Sequence, residues 1–161
     1  LTNSFNRSYL MSALKKLLPR CQFTRQNLAV IMLDIDHFKK VNDSYGHLVG
    51  DEVLRVFSER IRRTLRDDNT FCRLGGEEFI VISEQTNLPD AVRIAERIRL
   101  AVSSAPFGTQ SGPIQITCSL GVMTLDHLKE VTIDELLSSA DDRMYAAKAS
   151  GRNCVRSPLD Q

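Results

Sequence analysis

The chain has 161 residues, of which 42% are hydrophobic and 25% are charged, and its formal net charge at pH 7 is +1. This length and composition indicate one globular domain, residues 1–161, with a core of its own. The near-neutral charge gives no basic surface for nucleic acid, and no apolar run approaches the roughly 20 residues of a membrane span. We therefore expect no nucleic-acid partner and no direct contact between this domain and a membrane.

The first part of the chain predicts helices around one buried strand. Helical spacing of apolar residues covers 5–18, and we expect Pro19 to end that helix. Residues 28–33 form a continuous apolar run, which is typical of a central strand that is covered on both faces. The elements predicted next are a short helix at 38–42, a turn at 45–47 and a longer helix at 49–66.

The second part predicts a β-hairpin at 70–83, because Gly75 and Gly76 accept the positive φ angles of a tight two-residue turn. Glu77 and Glu78 then open its second strand. The later elements are a helix from Leu88, a loop at 107–113, a strand at 114–123, a helix from the capping box at 132–135 to about 149, and a short strand at 153–155. This order predicts an α+β fold, with helices on both faces of a central mixed or antiparallel sheet.

The cysteines bear on the compartment of the protein. Cys21, Cys72, Cys118 and Cys154 are too far apart in sequence for a metal knuckle, and we expect free thiols. Free thiols indicate a reducing, cytoplasmic environment. The chain begins with Leu1 rather than Met, and we expect a domain taken from a longer protein.

Acidic residues at two places suggest chemistry. Asp34 and Asp36 follow the buried strand, and Glu77 and Glu78 follow the glycine pair. If the strand lies beside the hairpin, carboxylates from both could hold a magnesium ion, which prefers oxygen ligands and is usually shared with substrate phosphates. The alternatives are that an Asp caps the following helix and that the two Glu residues are a solvated pair.

These residues, in this order and spacing, strongly resemble the GGDEF-domain family of diguanylate cyclases. The resemblance covers nearly the whole chain. It rests on the segments Asp34 to Asp43, Gly46-His47, Gly50-Asp51, Gly75-Gly76-Glu77-Glu78-Phe79, Ser119-Leu120-Gly121-Val122, Ala140-Asp141, Met144 to Lys148 and Gly151-Arg152-Asn153. It implies a palm-like fold of the nucleotidyl cyclase type, and the Mg²⁺-dependent condensation of two GTP into cyclic di-GMP and two pyrophosphates.

The resemblance also implies site residues. Asp34, the Ile35 carbonyl and Glu77 would bind Mg²⁺ or Mn²⁺, with Asp34 and Glu77 as the catalytic pair. Substrate binding would fall to Asn42 and Asp51 at the guanine, to Phe38 and Lys39 at the phosphates, to His47 near the turn, and to Lys148 and Arg152 at the β- and γ-phosphates. From the residues alone, Lys148 and Arg152 could instead complement the dipole at the end of the last helix.

The implied product-inhibition site departs from the family pattern. That pattern has Arg-x-x-Asp before the glycine pair, whereas this chain has Arg66 and Asn69, with Arg97 as a further arm. We therefore expect a degenerate inhibitory site with weak affinity for cyclic di-GMP.

Assembly and context follow from the same resemblance. Two GTP molecules must face each other, so we expect a transient homodimer during catalysis. The domain would be the C-terminal catalytic part of a cytoplasmic sensor protein whose upstream part could anchor it to a membrane. A catalytically silent nucleotide-binding module and a cyclase that makes a cyclic mononucleotide are the alternative functions.

Overall fold

The computed structural model describes residue 2 and residues 4–160, and its elements follow the predicted order. The helices of this part are α1 (Arg7–Thr24), α2 (Phe38–Tyr45), α3 (His47–Thr64), α4 (Leu88–Ser103) and α5 (Ile133–Ala149). The strands are β1 (Leu28–Ile35), β2 (Thr70–Gly75), β3 (Glu78–Glu84), β4 (Phe107–Thr109), β5 (Gly112–Ile114), β6 (Cys118–Thr124) and β7 (Val155–Arg156).

Strand β1 is the centre of a five-stranded mixed sheet. The sheet order is β2-β3-β1-β6-β7, with β1 antiparallel to both neighbours and β7 parallel to β6. All eight residues of β1 are buried, as its uniform apolar run predicts. Asp34 lies opposite Glu78 on β3 and opposite Ser119 on β6, so β1 carries its carboxylates to the edge where the hairpin turns.

Two cores cover the two faces of this sheet. Alternate β1 side chains from Ala29 to Ile35 pack with α2, α3 and α4. The others, from Leu28 to Met32, pack with α1 and α5. The predicted α+β class with helices on both faces of a mixed sheet is confirmed.

Helix α1 contradicts the prediction that Pro19 ends it. The helix contains Pro19 and continues to Thr24. Proline cannot donate a hydrogen bond to residue 15, but Lys15 and Pro19 both lie on the exposed side of the helix, where water can replace that bond. Burial of Leu17, Leu18 and Cys21, on either side of Pro19, stabilises the last turns.

Two further boundaries differ from the predictions. The predicted loop at 107–113 is the small β4–β5 hairpin, and the main strand after it begins only at Cys118. In the β2–β3 hairpin, Gly75 pairs with Glu78, so the turn residues are Gly76 and Glu77 rather than the two glycines. A register shift between Arg73 and Gly75 moves the turn by one residue, which places Glu77 at its tip.

Arg60 connects α3 to the end of α4. The Arg60 guanidinium donates to the carbonyl oxygens of Val102, Ala105 and Pro106 at 2.9, 2.6 and 2.8 Å, and lies 4.2 Å from the centroid of the Phe107 ring. Arg60 therefore satisfies carbonyls at and beyond the C-terminal end of α4.

All four cysteines are free, as predicted. No helix in the described part of the chain has both the length and the apolar character that a membrane span needs.

Candidate functional site

A cleft of about 410 Å³ lies where β1 ends, beside the β2–β3 turn and the end of α5. Its lining includes seven of the predicted site residues, namely Asp34, Ile35, Phe38, Lys39, Glu77, Lys148 and Arg152. They reach the cleft from the end of β1, the start of α2, the β2–β3 turn and the end of α5. The antiparallel pairing of β1 with β3 brings Asp34 next to the glutamate turn.

Asp34 is the most strongly perturbed carboxyl of the cleft. It is 3% exposed, its Oδ2 forms an ion pair with Lys148 Nζ, and its Oδ1 is buried without a hydrogen-bond partner. The pKa of Asp34 is raised from 3.8 to about 6, mainly by burial and in smaller part by the charges of Glu77 and Glu78, against the opposing effect of Lys148. A buried oxygen without a partner is costly unless a ligand satisfies it.

The turn that carries Glu77 is held from two sides. The backbone N–H of Ile35 donates to the Glu77 carbonyl at 3.3 Å, and the Arg73 guanidinium donates to the Gly76 carbonyl at 3.0 and 2.7 Å. These bonds fix the backbone at the tip of the hairpin, while the Glu77 side chain stays partly exposed in the cleft.

The donor set fits a hard divalent cation whose coordination is completed by substrate. Asp34 Oδ1 needs a partner, and Glu77 supplies a second carboxylate in the same cleft. Within the described residues, no three His, Cys, Asp or Glu side chains converge to form a complete metal centre. Mg²⁺ is bound better by two carboxylates that leave room for water and phosphate oxygens than by a cage made of protein ligands alone.

Asp36 has a different role from its neighbour two residues earlier. Its carboxylate accepts hydrogen bonds from Thr117 Oγ1 at 2.7 Å, Ser119 Oγ at 2.6 Å and the Asn153 backbone N–H at 3.0 Å. Asp36 therefore joins the end of β1 to β6 and to the segment after α5. The sequence singled out Asp36 as a possible ligand or cap, but gave no signal for these distant partners.

Helix α2 begins at the cleft without a side-chain cap. Its N-cap residue is His37, in a left-handed conformation with φ 57°, and no side chain bonds to the first turn. The alternative reading of Asp34 or Asp36 as a cap is therefore wrong. Phe38 is buried and Lys39 exposed at this end of the helix. Free N–H groups at a helix N-terminus, with a lysine beside them, suit an anion.

Lys148 and Arg152 flank the cleft from the other side. Lys148 is on the last turn of α5, and Arg152 follows the helix in a left-handed conformation with φ 67°. Lys148 pairs with Asp34 in addition to lying at the helix end, so complementing the helix dipole does not account for its position.

The two predicted guanine contacts, and His47 near the turn, lie apart from this lining. Asn42, His47 and Asp51 are at the α2–α3 junction and do not line the cleft. A Cβ on Gly50 would stand 1.9 Å from Asn42 Oδ1, so only glycine leaves room for the Asn42 side chain at this place. The sequence did not identify this role of Gly50, although a glycine inside a helix is a signal of close contact.

The predicted inhibitory residues lie on the turn before β2 and on α4. Arg66 and Asn69 close a turn, with the Arg66 N–H donating to Asn69 Oδ1 at 3.1 Å and the Asn69 N–H donating to the Arg66 carbonyl at 3.0 Å. Asn69 Nδ2 donates to Ser83 Oγ at 3.0 Å. Arg97 is exposed on α4 and does not line the shallow pocket that contains Arg66.

Comparison with known proteins connects this geometry to one family. A family model described as "Diguanylate cyclase, GGDEF domain" matches residues 1–154. The response regulator PleD of Caulobacter vibrioides is 45% identical over 157 residues, which cover 96% of this chain and 34% of PleD. The chain thus spans about a third of the length of that relative.

Solved structures agree with the sequence comparison. The GGDEF domain of YfiN (TpbB) from Pseudomonas aeruginosa matches with a TM-score of 0.92 at 34% identity, over 98% of both chains. The GGDEF domain of DgcB from Caulobacter crescentus, solved in complex with c-di-GMP, matches with a TM-score of 0.90 at 30% identity, over 97% of this chain and 89% of DgcB.

Proposed function

The chain belongs to the GGDEF domain family of diguanylate cyclases, and from this we propose that it condenses two GTP molecules into cyclic di-GMP and two pyrophosphates. The observation that carries the proposal is the buried, unpartnered Oδ1 of Asp34, which lies in one cleft with Glu77, Lys148 and Arg152. The complex of DgcB with c-di-GMP supports the product.

In this proposal, Asp34, Glu77 and the Ile35 carbonyl hold Mg²⁺ or Mn²⁺. The bound ion would supply charge neutralisation at the phosphates and a lower pKa for the attacking 3′-hydroxyl. The partly exposed Glu77 favours deprotonation of that hydroxyl. Asp34 is the ligand whose buried oxygen needs a partner most, because it has none within the described fold.

The remaining residues bind and orient the nucleotide. The uncapped N-terminus of α2, with Phe38 and Lys39, receives phosphate oxygens, and Lys148 and Arg152 hold the β- and γ-phosphates. Lys148 would then exchange part of its pairing with Asp34 for phosphate. Asn42 and Asp51 read the guanine edge, because an amide and a carboxylate together match its donors and acceptor, and His47 lies beside them at the start of α3.

One GTP per chain implies that two domains meet. A symmetric cyclic dinucleotide needs each 3′-hydroxyl to face the α-phosphate of the other GTP, so two chains related by a twofold axis form a transient homodimer with the substrates between them. We place the domain in the cytoplasm as the C-terminal catalytic part of a longer sensor protein.

Product analysis tests the proposal. Purified protein is incubated with GTP and Mg²⁺, and the products are separated by chromatography over a hundredfold range of protein concentration. We expect cyclic di-GMP and pyrophosphate, with a specific activity that rises with concentration and rises further when a leucine zipper is fused to the N-terminus. A cyclic mononucleotide, or bound but unchanged GTP, would support the alternative functions. Constant specific activity from a monomer would contradict the dimeric scheme.

A further inference from the structure

The segment Gly151–Asn153, between α5 and β7, has an unusual backbone. Its three residues have φ values of 108°, 67° and 47°, and Arg152 and Asn153 adopt this left-handed region without being glycine. All three are exposed, so the segment gains no apolar burial. Such a conformation persists only where surrounding contacts hold it.

Two charged side chains from other elements hold this segment at Asn153. The buried Asp36 carboxylate accepts the Asn153 backbone N–H at 3.0 Å. Arg99 on α4 donates from Nη1 to Asn153 Oδ1 at 3.2 Å, and its Nε donates to Glu96 at 2.9 Å. The Asp36 carboxylate is itself held by Ser119 on β6 and by Thr117 just before that strand.

We propose that Asp36 and Arg99 are positioning residues that clamp Asn153 and thereby aim the adjacent Arg152 at the nucleotide triphosphate. The inference rests on the proposed function, because it assumes that Arg152 binds phosphate. The clamp ties the segment of Arg152 to Asp36, which directly follows β1, the strand that carries Asp34. The Arg152 backbone N–H also donates to the Ala147 carbonyl at 3.1 Å, so the end of α5 and Asp36 together set the distance between the metal-binding carboxylate and the phosphate-binding guanidinium.

A purely structural role for Asp36 predicts a different pattern. If Asp36 only satisfied Thr117 and Ser119, its loss would destabilise the end of the sheet and would weaken the binding of every ligand to the same extent. The positioning role predicts a loss of affinity only for ligands that carry the β- and γ-phosphates, and it predicts that this loss requires Arg152.

Calorimetric binding separates the two roles. The probes are GMP and an α,β-methylene analogue of GTP, which cannot release pyrophosphate, both with Mg²⁺. Asp36→Asn should weaken binding of the triphosphate analogue about tenfold and leave GMP within about twofold, because an amide cannot accept all three hydrogen bonds. Arg99→Leu should give a loss of about threefold in the same direction.

Matched variants control for charge and for local disturbance. Asp142→Asn makes the same chemical change at an exposed position of α5, outside the cleft, and should bind both probes as the wild type does. Glu96→Gln removes the charge of the other partner of Arg99 and should also leave binding unchanged. In an Arg152→Ala background, Asp36→Asn should cause no further loss of triphosphate affinity.

Hydrogen exchange gives a readout that does not involve nucleotide. The Asn153 amide should exchange faster in Asp36→Asn and Arg99→Leu, while the peptides of β1 and β6 keep their protection. If Asp36→Asn fails to fold, Arg99→Leu provides the same test from α4.

The outcomes distinguish the two proposals. A wild-type protein that binds neither probe would overturn the proposed function and this inference with it. A wild-type protein that binds the triphosphate analogue, with variants that bind it equally well or that lose GMP to the same extent, would overturn the positioning role alone.

Discussion

Asn42 is expected to contact the guanine of the substrate and Asn69 belongs to the degenerate product site, and the fold uses the two side chains differently. Among the described residues, the Asn42 carboxamide has no hydrogen-bond partner and lies against Gly50 at the α2–α3 junction. The Asn69 carboxamide accepts from the Arg66 N–H and donates to Ser83. The first amide remains available to a ligand, whereas the second is already engaged in the fold.

The same contrast holds for the two regions as wholes. In the cleft, Asp34 has a buried oxygen without a partner and a raised pKa, so the fold there is less stable than it could be. In the turn at 66–69, backbone and side-chain groups satisfy one another. A buried oxygen without a partner that lies in a cleft with other charged groups, as in Asp34, supports a ligand site, because a bound ligand can offset its cost.

The largest expected effect comes from Glu77→Gln in the cleft. The change keeps the size of the side chain at the tip of the hairpin and removes one negative charge, so the fold should be unaffected. We expect cyclic di-GMP synthesis to fall about a thousandfold, which corresponds to roughly 4 kcal/mol. Initial rates at saturating Mg²⁺ measure the effect.

Glu78→Gln is the matched control, since Glu78 pairs with Asp34 on the strand rather than lying in the turn. It should lose much less activity. Near-wild-type rates for Glu77→Gln would remove Glu77 from the catalytic pair.

Asp34→Asn tests the cost that the cleft imposes on the fold. The pKa of Asp34 is about 6 in the fold against 3.8 ordinarily. A carboxyl with a raised pKa contributes stability at pH values below its ordinary pKa. This contribution is lost as the pH rises through about 6. Asparagine does not titrate, so between about pH 4 and pH 7 the variant should gain about 2–3 kcal/mol of unfolding free energy relative to the wild type.

Urea unfolding in EDTA at several pH values measures this gain, with Asp142→Asn as the exposed control that should follow the wild type. The variant should also lose cyclase activity. Parallel stability curves for Asp34→Asn and the wild type would show that the buried carboxyl imposes no such cost.

Local sequence patterns predicted much of the fold and the convergence of the acidic residues at the cleft. The apolar run of β1 predicted a buried central strand, and the acids after β1 and around the glycine pair predicted their convergence. The pattern could not show that Pro19 lies on the exposed side of α1, since that depends on which face packs. It also could not resolve a one-residue shift in the hairpin, because either register uses the same glycines.

Long-range polar contacts could not be predicted from the sequence. Asp36 accepts bonds from residues 81 to 117 positions away, and Arg60 from α3 donates to carbonyls more than 40 positions away. Neither has a local spacing that would reveal its partners. Such contacts depend on tertiary packing, which a single sequence does not specify by pattern.

Asn69→Asp sharpens the comparison from the side of the turn. The neutral amide lacks the charge-assisted acceptor that the family pattern places there, so we expect weak product binding in the wild type. Aspartate should strengthen binding of cyclic di-GMP by roughly 1.5–3 kcal/mol, which calorimetry measures directly. Submicromolar binding by the wild type that is lost in Arg66→Ala would show that the turn binds product despite its internal hydrogen bonds.

Gly50→Ala tests whether the free amide of Asn42 matters, and its expected effect is the smallest. The added Cβ would stand 1.9 Å from Asn42 Oδ1, the end of a flexible side chain, so Asn42 should rotate away at little cost to the fold. The guanine would then lose a hydrogen-bonding partner, and KM for GTP should rise about fivefold to tenfold, or roughly 1 kcal/mol, with kcat nearly unchanged. Discrimination against ATP should fall with it, because the lost contact reads the base.

Asn42→Ala provides the reference, and in that background Gly50→Ala should add nothing. A rise in KM that persists without the Asn42 amide would mean that Gly50 acts through the α2–α3 backbone, and that the amide is not the group that recognises guanine.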